Sequence, residues 1–413
     1  MKQPIIYLAA NLPKLSETFV YREILGLRAV GVDVRTVSIR PSTDTLGDPA
    51  LETLRQEAIP VYGSGGRRLL LDAALEMLQH PVRSLCTVGY GIRLAVGEKD
   101  VKGIAARLKI GVQALAALAL ARRLRPLQPG LLHAHMAHVP TTFAMLTARQ
   151  LGVPFSFTGH AADLFRDRAL LLPKLQQAAF VHCISRWHRE FYQELCPRPD
   201  ADYPIVRCGV DPSEFASRAP AEPGTTRLLA AGRLVGKKGF DVLLAALAAP
   251  VLSDLSWTLT LIGDGPEEDA LRAQWQAHPC RDRITLAGAQ PNSVVRQAMM
   301  SADVFVLPCR VDPDGDRDGI PVVLMEAMMA GAVVVSGDIP SIRELIEHDR
   351  TGLFVPPGDA KALTEVLVRL CKNAELRERL AAAARPAAIA EFSLAVNIQR
   401  ILDNWGGRDS VEP

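Results

Sequence analysis

The segment that decides the fold of this 413-residue chain is Asp318-Gly-Ile-Pro-Val-Val-Leu-Met-Glu326-Ala-Met-Met-Ala-Gly331. A turn with glycine and proline leads into an apolar helix. We predict that this helix begins near Pro321, with the proline in its first turn, where a missing N–H costs nothing. The free N–H groups of that turn and the positive end of the helix dipole form an anion site. Asp318 then lies over the site and Glu326 about one turn inside the helix. This suits a ligand with phosphates and several hydroxyl groups, although a buried strand–helix unit with two solvated acids has the same pattern.

The chain length predicts two domains of roughly 200 residues each. Apolar strand-like runs alternate with helical patterns, which indicates an α/β fold with two doubly wound parallel sheets. We expect a Rossmann-like domain over 1–205, a second over 206–389, a C-terminal helix within 390–413 that packs back on the first domain, and a ligand cleft between the domains. The predicted strands are 5–9, 32–39, 131–135, 154–158 and 180–184 in the first domain, and 227–231, 258–262, 284–286, 304–307 and 332–336 in the second. A helix is predicted over 342–346, and Ser16 and Ser185 are expected to cap the helices that follow strands 5–9 and 180–184.

Charge and cysteine usage predict where the protein resides. Seven scattered cysteines without a C-x-x-C pair favour a reduced, cytoplasmic protein without structural zinc. We expect no signal peptide, and the longest apolar helical run, 110–121, is too short to cross a bilayer. Residues 1–205 hold 25 Lys and Arg against 17 Asp and Glu. This excess favours contact with an anionic membrane surface, although chance scatter gives the same balance; no nucleic-acid partner is expected.

Two glycine-rich loops follow predicted strands. In Ala231–Gly239, Gly232 allows a tight strand exit, and Arg233 and Lys238 could clamp a diphosphate by charge-assisted hydrogen bonds. Ile262-Gly-Asp-Gly-Pro266 is a second such exit. Taken alone, each is equally an ordinary solvated turn, and neither has the spacing of a Walker loop or of G-x-G-x-x-G.

Taken together and in this order, these segments resemble the retaining glycosyltransferases of family 4, which have the two-domain GT-B fold. The resemblance extends over nearly the whole chain, through Gly209-Val-Asp211 with Phe215, Ser341–Glu344 and Thr351–Val355. Three further segments are most similar to the bacterial exopolysaccharide branch of that family, which includes colanic acid and amylovoran enzymes: Pro13–Val20, His133-Ala-His135 and Asp314–Pro321.

The resemblance implies a role for each matched residue. Arg233 and Lys238 would hold the donor diphosphate, and Glu326 would accept hydrogen bonds from the ribose. Asp318, with the backbone of Gly319 and Ile320, would touch the transferred sugar. His160, in Phe157-Thr-Gly-His160, matches the family's N-domain histidine at the donor sugar, and its loop ends in Asp163. The predicted donor-binding set is completed by Gly232, Gly263, Gly265 and Val322.

The chain departs from the family pattern at two places. Asp318 stands where the family usually has Glu, so the sugar contact is one methylene shorter. The first strand exit, Ala10-Asn-Leu-Pro-Lys14, lacks the usual glycine-rich loop and leaves the acceptor side undefined.

No metal or other cofactor is expected, because Arg233 and Lys238 already supply positive charge. His133 and His135 lie on one face of a strand and could bind a metal, but no third ligand is evident in the sequence. The three D-x-D steps of Asp312–Asp318 leave a manganese site open. A calcium loop does not fit them, because Val323 occupies its twelfth position.

The resemblance implies transfer of a hexose from a nucleoside diphosphate sugar to a growing, lipid-linked bacterial exopolysaccharide, with the enzyme in the cytoplasm and peripheral on the plasma membrane. Two alternatives stay open: a nucleotide-sugar epimerase of the same fold, and a non-catalytic assembly subunit at the membrane. The sequence does not specify the base, the sugar, the acceptor, the linkage or the oligomeric state.

Overall fold

The computed structural model describes residues 3–44, 48–63, 65–98, 100–160, 168–215 and 224–409. The chain divides into two compact units, one of residues 1–207 with 398–413 and one of residues 208–397.

The first unit is built on a six-stranded parallel sheet in the order β3-β2-β1-β4-β5-β6. Its strands are β1 (Ile5–Leu12), β2 (Val34–Pro41), β3 (Ile59–Pro60), β4 (Leu131–His135), β5 (Phe155–Gly159) and β6 (Phe180–Cys183). Its helices are α1 (Thr18–Ala29), α2 (Pro49–Glu57), α3 (Gly66–Gln79), α4 (Pro81–Gly97), α5 (Ile104–Leu124), α6 (Val139–Leu151), α7 (Leu171–Gln177) and α8 (Arg186–Leu195). The strand order reverses between β1 and β4, where open sheets of this kind bind ligands.

The second unit repeats this topology with six parallel strands in the order β12-β11-β10-β7-β8-β9. Its strands are β7 (Thr226–Ala231), β8 (Trp257–Ile262), β9 (Ile284–Gly288), β10 (Val304–Leu307), β11 (Val333–Gly337) and β12 (Leu353–Val355). Its helices are α9 (Phe240–Leu247), α10 (Glu268–Gln276), α11 (Asn292–Ser301), α12 (Val322–Met329), α13 (Ala360–Lys372) and α14 (Ala374–Phe392). A last helix, α15 (Leu394–Asp409), begins in this unit and runs on into residues of the first.

Burial on both faces explains why the central strands read as unbroken apolar runs. All four residues of β10 are buried, as are all five of β11. The predicted α/β class with two doubly wound parallel sheets is confirmed, and so is the cap of α8, where the Ser185 hydroxyl accepts a hydrogen bond from the backbone N–H of His188 at 3.1 Å.

Some local predictions were wrong. Ser16 does not cap α1, which begins at Thr18 with Glu17 as its N-cap and no side-chain cap bond. Residues 342–346, predicted as a helix, form only a 3-10 turn over Ile342–Glu344. Pro321 is the N-cap of α12 and not part of its first turn. The prediction that the longest apolar helix is too short to cross a bilayer also fails. Helix α5 with the 3-10 turn that follows it, Ile104–Leu127, has the length and composition to cross a membrane, but half of its most apolar stretch is buried inside the unit.

Candidate functional site

Two glycine-rich strand exits lie against each other at one edge of the second sheet. Strands β7 and β8 are neighbours, so the loops that follow them meet. The N–H of Gly232 donates to the carbonyl of Ile262 at 3.0 Å. A Cβ added to Gly263, which has φ +149°, would lie 1.9 Å from the carbonyl oxygen of Gly232. Only glycine fits this backbone contact, which brings together the predicted residues Gly232 and Gly263.

Lys238 and Asp318 meet at this edge as an ion pair. A 3-10 turn over Gly236–Lys238 follows the β7 exit and ends at Gly239, which has φ +70°. It directs Lys238 so that its Nζ lies 2.8 Å from Oδ2 of Asp318, with both side chains about seven-eighths buried. Burial alone lowers the pKa of Lys238, but the Asp318 carboxylate outweighs it and the net shift is upward. Burial raises the pKa of Asp318, but Lys238 and Lys237 outweigh it and the net shift is downward. The pair is therefore charged at neutral pH.

A second lysine reinforces the pair. Nζ of Lys237 lies 3.1 Å from Oδ1 of Asp316 and 3.7 Å from Oδ1 of Asp318. The sequence did not identify Lys237 as a site residue, and it pointed to Asp316 only as part of a possible manganese site. The available signal was the neighbouring position of Lys237 and Lys238, which matches the alternating acids of the 312–318 loop.

The loop that carries Asp318 is fixed from two sides. Sγ of Cys309, a fully buried residue after β10, lies 3.5 Å from Oδ2 of Asp318. The Ser341 hydroxyl lies 3.0 Å from the carbonyl oxygen of Asp318 and 2.9 Å from that of Gly319, and donates to this pair of acceptors. The carboxylate therefore has a fixed position before any ligand binds, and the sequence did not point to Cys309.

The start of α12 offers backbone donors beside this carboxylate. No side chain caps the helix. The N–H groups of Gly319, Ile320, Val322 and Val323 have no acceptor among the residues that the structure describes. Such a turn at a helix N-terminus accepts anions. Glu326 is buried one turn inside α12, as predicted.

Arg233 differs from Lys238 in its surroundings. It follows Gly232 directly, is exposed, and its guanidinium has no hydrogen-bond partner within the described part of the chain. The site thus combines one solvent-facing guanidinium, one buried ammonium held by a carboxylate, and a row of backbone donors. This set can bind a diphosphate and stabilise the charge that develops on it.

In the first unit, His160 lies at the end of a series of buried, hydrogen-bonded side chains. His160 follows β5 directly and is buried. Its Nε2 lies 3.3 Å from Nδ1 of His135, whose Nε2 lies 3.2 Å from Oε1 of Glu23. The hydroxyl of Tyr7 donates to the same Glu23 oxygen at 2.8 Å. Asp163, predicted to close the loop after His160, lies outside the described residues.

Burial shifts the pKa values of His160 and Glu23 in this hydrogen-bonded group. It lowers the pKa of His160 well below the ordinary value, and the neighbouring His135 adds to the effect. Burial alone raises the pKa of Glu23, but His135, His182 and the Tyr7 hydroxyl together outweigh it, so the net shift is downward. The Glu23 carboxylate accepts a hydrogen bond from Nε2–H of His135, and Nδ1 of His135 is hydrogen-bonded in turn to Nε2 of His160.

Glu23 is the third potential metal ligand that the sequence did not reveal. The ligand atoms of Glu23, His133 and His135 all lie within 4.8 Å of one another. However, His133 is already satisfied by Ser156 Oγ at 2.8 Å and by Thr158 Oγ1 at 3.0 Å. The cluster is thus complete as a hydrogen-bond network, and a metal would have to displace it.

Comparison with known proteins shows that the chain is similar to glycosyltransferases. The family model described as Glycosyltransferase Family 4 matches residues 73–214, and the model described as Glycosyl transferases group 1 matches residues 213–386. The chain is 32% identical over 242 residues to the amylovoran biosynthesis glycosyltransferase AmsK of Erwinia amylovora, covering 58% of this chain and 56% of AmsK. It is 34% identical over 212 residues to WcaL of Escherichia coli K12, named for colanic acid biosynthesis, covering 51% and 50%. The chain thus spans about half the length of the curated relatives that it matches.

Solved structures show the same fold. HepE of Anabaena in complex with UDP and glucose matches with a TM-score of 0.69 at 15% identity, over 98% of this chain and 100% of that one. Sucrose-phosphate synthase of Thermosynechococcus elongatus matches with a TM-score of 0.73 at 16% identity, over 100% of both chains. These matches confirm the GT-B fold that the sequence predicted.

Proposed function

We propose that the chain is a retaining glycosyltransferase that moves a hexose from a nucleoside diphosphate sugar to a lipid-linked bacterial exopolysaccharide precursor. The two glycosyltransferase family models that match it support this proposal. The names of AmsK and WcaL support the exopolysaccharide class of acceptor. HepE, which binds UDP and UDP-glucose, supports a uridine nucleotide as donor.

One observation carries the proposal: the Lys238–Asp318 pair lies beside backbone N–H groups at the start of α12 that have no acceptor in the described part of the chain. A diphosphate seated on those N–H groups would lie within reach of a cation on one side. The transferred sugar would then lie against the Asp318 carboxylate, which accepts hydrogen bonds from sugar hydroxyls. Glu326, one turn further along the helix, takes the ribose hydroxyls.

The reaction follows from this charge distribution. The bond between the sugar anomeric carbon and the diphosphate oxygen breaks, and Arg233 and Lys238 stabilise the negative charge that develops on the leaving group. The acceptor hydroxyl attacks the same face of the sugar and passes its proton to the departing phosphate oxygen. No side chain is required as a nucleophile, and no metal is required to neutralise the diphosphate. His160 is assigned a role at the donor sugar.

We place the enzyme in the cytoplasm, peripheral on the inner face of the plasma membrane. The positive charge excess of residues 1–205 supports this location, because the cytoplasmic leaflet is anionic. A lipid-linked acceptor would be presented at that surface.

The test is a donor screen with the purified chain. UDP- and GDP-sugars are incubated with and without membrane-extracted lipid-linked glycan, and nucleotide release and product are both measured. We expect one donor to be consumed in an acceptor-dependent way, with the rate lowered about ten- to one-hundredfold in Asp318→Asn. Conversion of the donor sugar to its epimer without acceptor would contradict the proposal, as would failure to bind any nucleotide.

A further inference from the structure

Helices α3, α4 and α5 leave an extensive aliphatic surface uncovered. Of the seventeen large hydrophobic side chains that are exposed in the described part of the chain, eleven lie on these three helices, with exposed fractions from 41% to 78%. A soluble monomer seldom leaves so many large aliphatic side chains together in water. The outward surfaces of helices α3, α4 and α5 together are called the α3–α5 face.

The aliphatic residues follow the helical repeat. On α4 they are Val82, Leu85, Ile92 and Val96, whose spacing of three, seven and four residues places them in one stripe. The opposite side of α4 packs inward on α5, where a Cβ added to Gly91 would meet the Cβ of Ala114 at 2.6 Å. The stripe is therefore a second apolar side of a helix whose first apolar side already serves the core.

Helix α5 shows the same division along its length. Its second half, from Ala116 to Leu124, is almost wholly buried, whereas Ile104, Leu108 and Val112 in its first half are exposed. Core packing therefore accounts for only half of its apolar sequence. Helix α3 contributes Leu71 and Leu78.

Charge on the α3–α5 face has one sign. The exposed charged residues of the three helices are all basic: Arg67, Arg68, Arg83, Arg93, Arg107 and Lys109. The two carboxylates of these helices are not on the surface. Asp72 is paired with Arg123, whose Nε lies 2.8 Å from Oδ2, and the buried Glu76 is paired with Arg125.

A basic pocket adjoins the α4 stripe. It has a volume of about 410 Å³ and is lined by Tyr90, Arg93, Glu98 and Arg149, among others. The guanidinium carbon of Arg149 lies 4.7 Å from the centre of the Tyr90 ring, and that of Arg93 lies 5.3 Å from it. Two guanidinium groups against one carboxylate give the pocket a net positive charge, which suits a phosphate group.

From these observations we infer that the α3–α5 face is a lipid-docking surface, which inserts its aliphatic stripes into the acyl boundary of an anionic membrane while the arginines and Lys109 contact the headgroup phosphates. Aliphatic residues with interleaved cations, and with no exposed carboxylate within the helices, are the composition of interfacial helices. Arginine stems can lie along the apolar region while their charged ends stay at headgroup level. A second copy of the chain fits less well, because a two-fold contact would place six cations against six others.

A lipid-docking α3–α5 face rests on the proposed membrane attachment and changes the salt dependence expected of it. Attachment by net charge alone is screened by salt, whereas aliphatic insertion is not. The α3–α5 face therefore predicts binding that needs anionic lipid to begin but survives salt in part.

Vesicle flotation tests this with the full chain at about 0.1 M and about 0.5 M NaCl, because the Debye length falls about twofold over this range. The vesicles are made of phosphatidylcholine, with or without phosphatidylglycerol. We expect the parent to float with phosphatidylglycerol vesicles and to retain a measurable bound fraction at high salt. The triple variant Leu78→Gln, Leu85→Gln, Ile92→Gln should lose about tenfold in partition at both salt concentrations. The triple variant Arg67→Gln, Arg68→Gln, Arg93→Gln should lose binding mainly at low salt.

The control is Val30→Gln, which changes an equally exposed aliphatic residue outside the three helices and should float like the parent. Thermal unfolding confirms that each variant is folded. Flotation of the Leu/Ile variant at the parent level would overturn the inference, as would a parent that dimerises in light scattering and becomes monomeric in that variant. Donor consumption is measured in parallel on the same proteins. Loss of flotation with unchanged donor consumption supports the docking surface, whereas flotation as predicted without donor consumption in any protein would contradict only the proposed function.

Discussion

The ammonium of Lys238 and the carboxylate of Asp318 form a 2.8 Å ion pair although they lie eighty residues apart in the chain. The sequence assigned them to different parts of one ligand, the diphosphate and the sugar. In the structure they are direct partners, so a bound donor must share Lys238 with Asp318. The pair joins the β7 exit to the loop before α12, and this makes the two predicted motifs one site.

Lys238→Ala and Arg233→Ala should each lower turnover by roughly 10²–10³-fold, the usual effect of losing one preorganised charge-stabilising group. The two variants should differ in stability. Lys238→Ala leaves the buried Asp318 without its nearest cation and should lower the free energy of unfolding by about 3 kcal/mol. Arg233 is exposed and unpaired in the described part of the chain, so Arg233→Ala should unfold like the parent.

Steady-state kinetics and thermal unfolding of both proteins make this comparison. Lys237→Ala is the matched control, since its Nζ lies closer to Asp316 than to Asp318; its turnover should fall much less. Near-parent turnover in both Arg233→Ala and Lys238→Ala would show that no diphosphate is clamped here.

Transfer activity should survive saturating EDTA. Arg233 and Lys238 supply the positive charge that a metal would otherwise bring to the diphosphate. Within the described residues, the carboxylates of Asp316 and Asp318 are paired with lysines. The measurement is initial rate before and after chelation. Loss of rate that manganese restores would instead make the 312–318 loop a metal site.

Glu23→Gln should lower kcat more than it raises the donor KM. The carboxylate can only accept, so it holds Nε2 of His135 as the donor in the hydrogen-bond chain to His160, whereas an amide can donate as well as accept. In Glu23→Gln the amide oxygen still accepts a hydrogen bond from the Tyr7 hydroxyl, so this variant should fold like the parent. Glu23→Ala instead leaves the buried Tyr7 hydroxyl and His135 Nε2 without their partner, which costs about 1–3 kcal/mol each. A Glu23→Gln protein with the parent kcat would show that the hydrogen bonds among Glu23, His135 and His160 have only a structural role.

The first unit should lose stability as the pH falls below about 6.5. Burial lowers the pKa of His133 and of His160 well below the ordinary value, and lowers the pKa of His188 to about 3. Between the folded and unfolded pKa values the unfolded chain binds more protons, so stability is complete above the unfolded pKa and declines as the pH falls. Each such histidine contributes up to about 1.4 kcal/mol per pH unit.

Urea unfolding at several pH values between neutrality and acid, followed by fluorescence, measures this decline. His188→Gln should make it shallower by about one proton's slope. A free energy of unfolding that stays constant across the range would show that these histidines are not buried in their neutral form.

Local sequence patterns predicted most elements of the fold but only part of the site. Apolar runs located the central strands, and the motif at Gly232 located the cation loop. Strands β3 and β12, of two and three residues, are too short for any periodicity to mark. The contact of Glu23 with His135 joins residues 112 positions apart. Such contacts are set by which strands become neighbours, and no local spacing encodes them.

Asp318 is the residue on which the proposed chemistry depends most. Its carboxylate is held by Lys238 and lies against Cys309, while Ser341 fixes its backbone. Asp318→Asn keeps the size and removes the charge. It weakens charge-assisted hydrogen bonds to sugar hydroxyls, which are worth about 1.5–3 kcal/mol. We therefore expect a kcat lower by about ten- to one-hundredfold.

Asp318→Glu should retain partial activity, because the charge stays but the extra methylene crowds a site bounded by the buried Cys309. Ser341→Ala keeps the Asp318 carboxylate but removes the hydroxyl that holds the Asp318 loop. If the position of that loop matters for the reaction, kcat should fall in this variant as well. Glu326→Gln should mainly raise the donor KM, because ribose contacts form equally in the ground and transition states. The four variants are compared by kcat and KM with the donor found in the screen, and by thermal unfolding. An Asp318→Asn protein that is folded and turns over like the parent would show that Asp318 does not contact the transferred sugar, and the central assignment would be wrong.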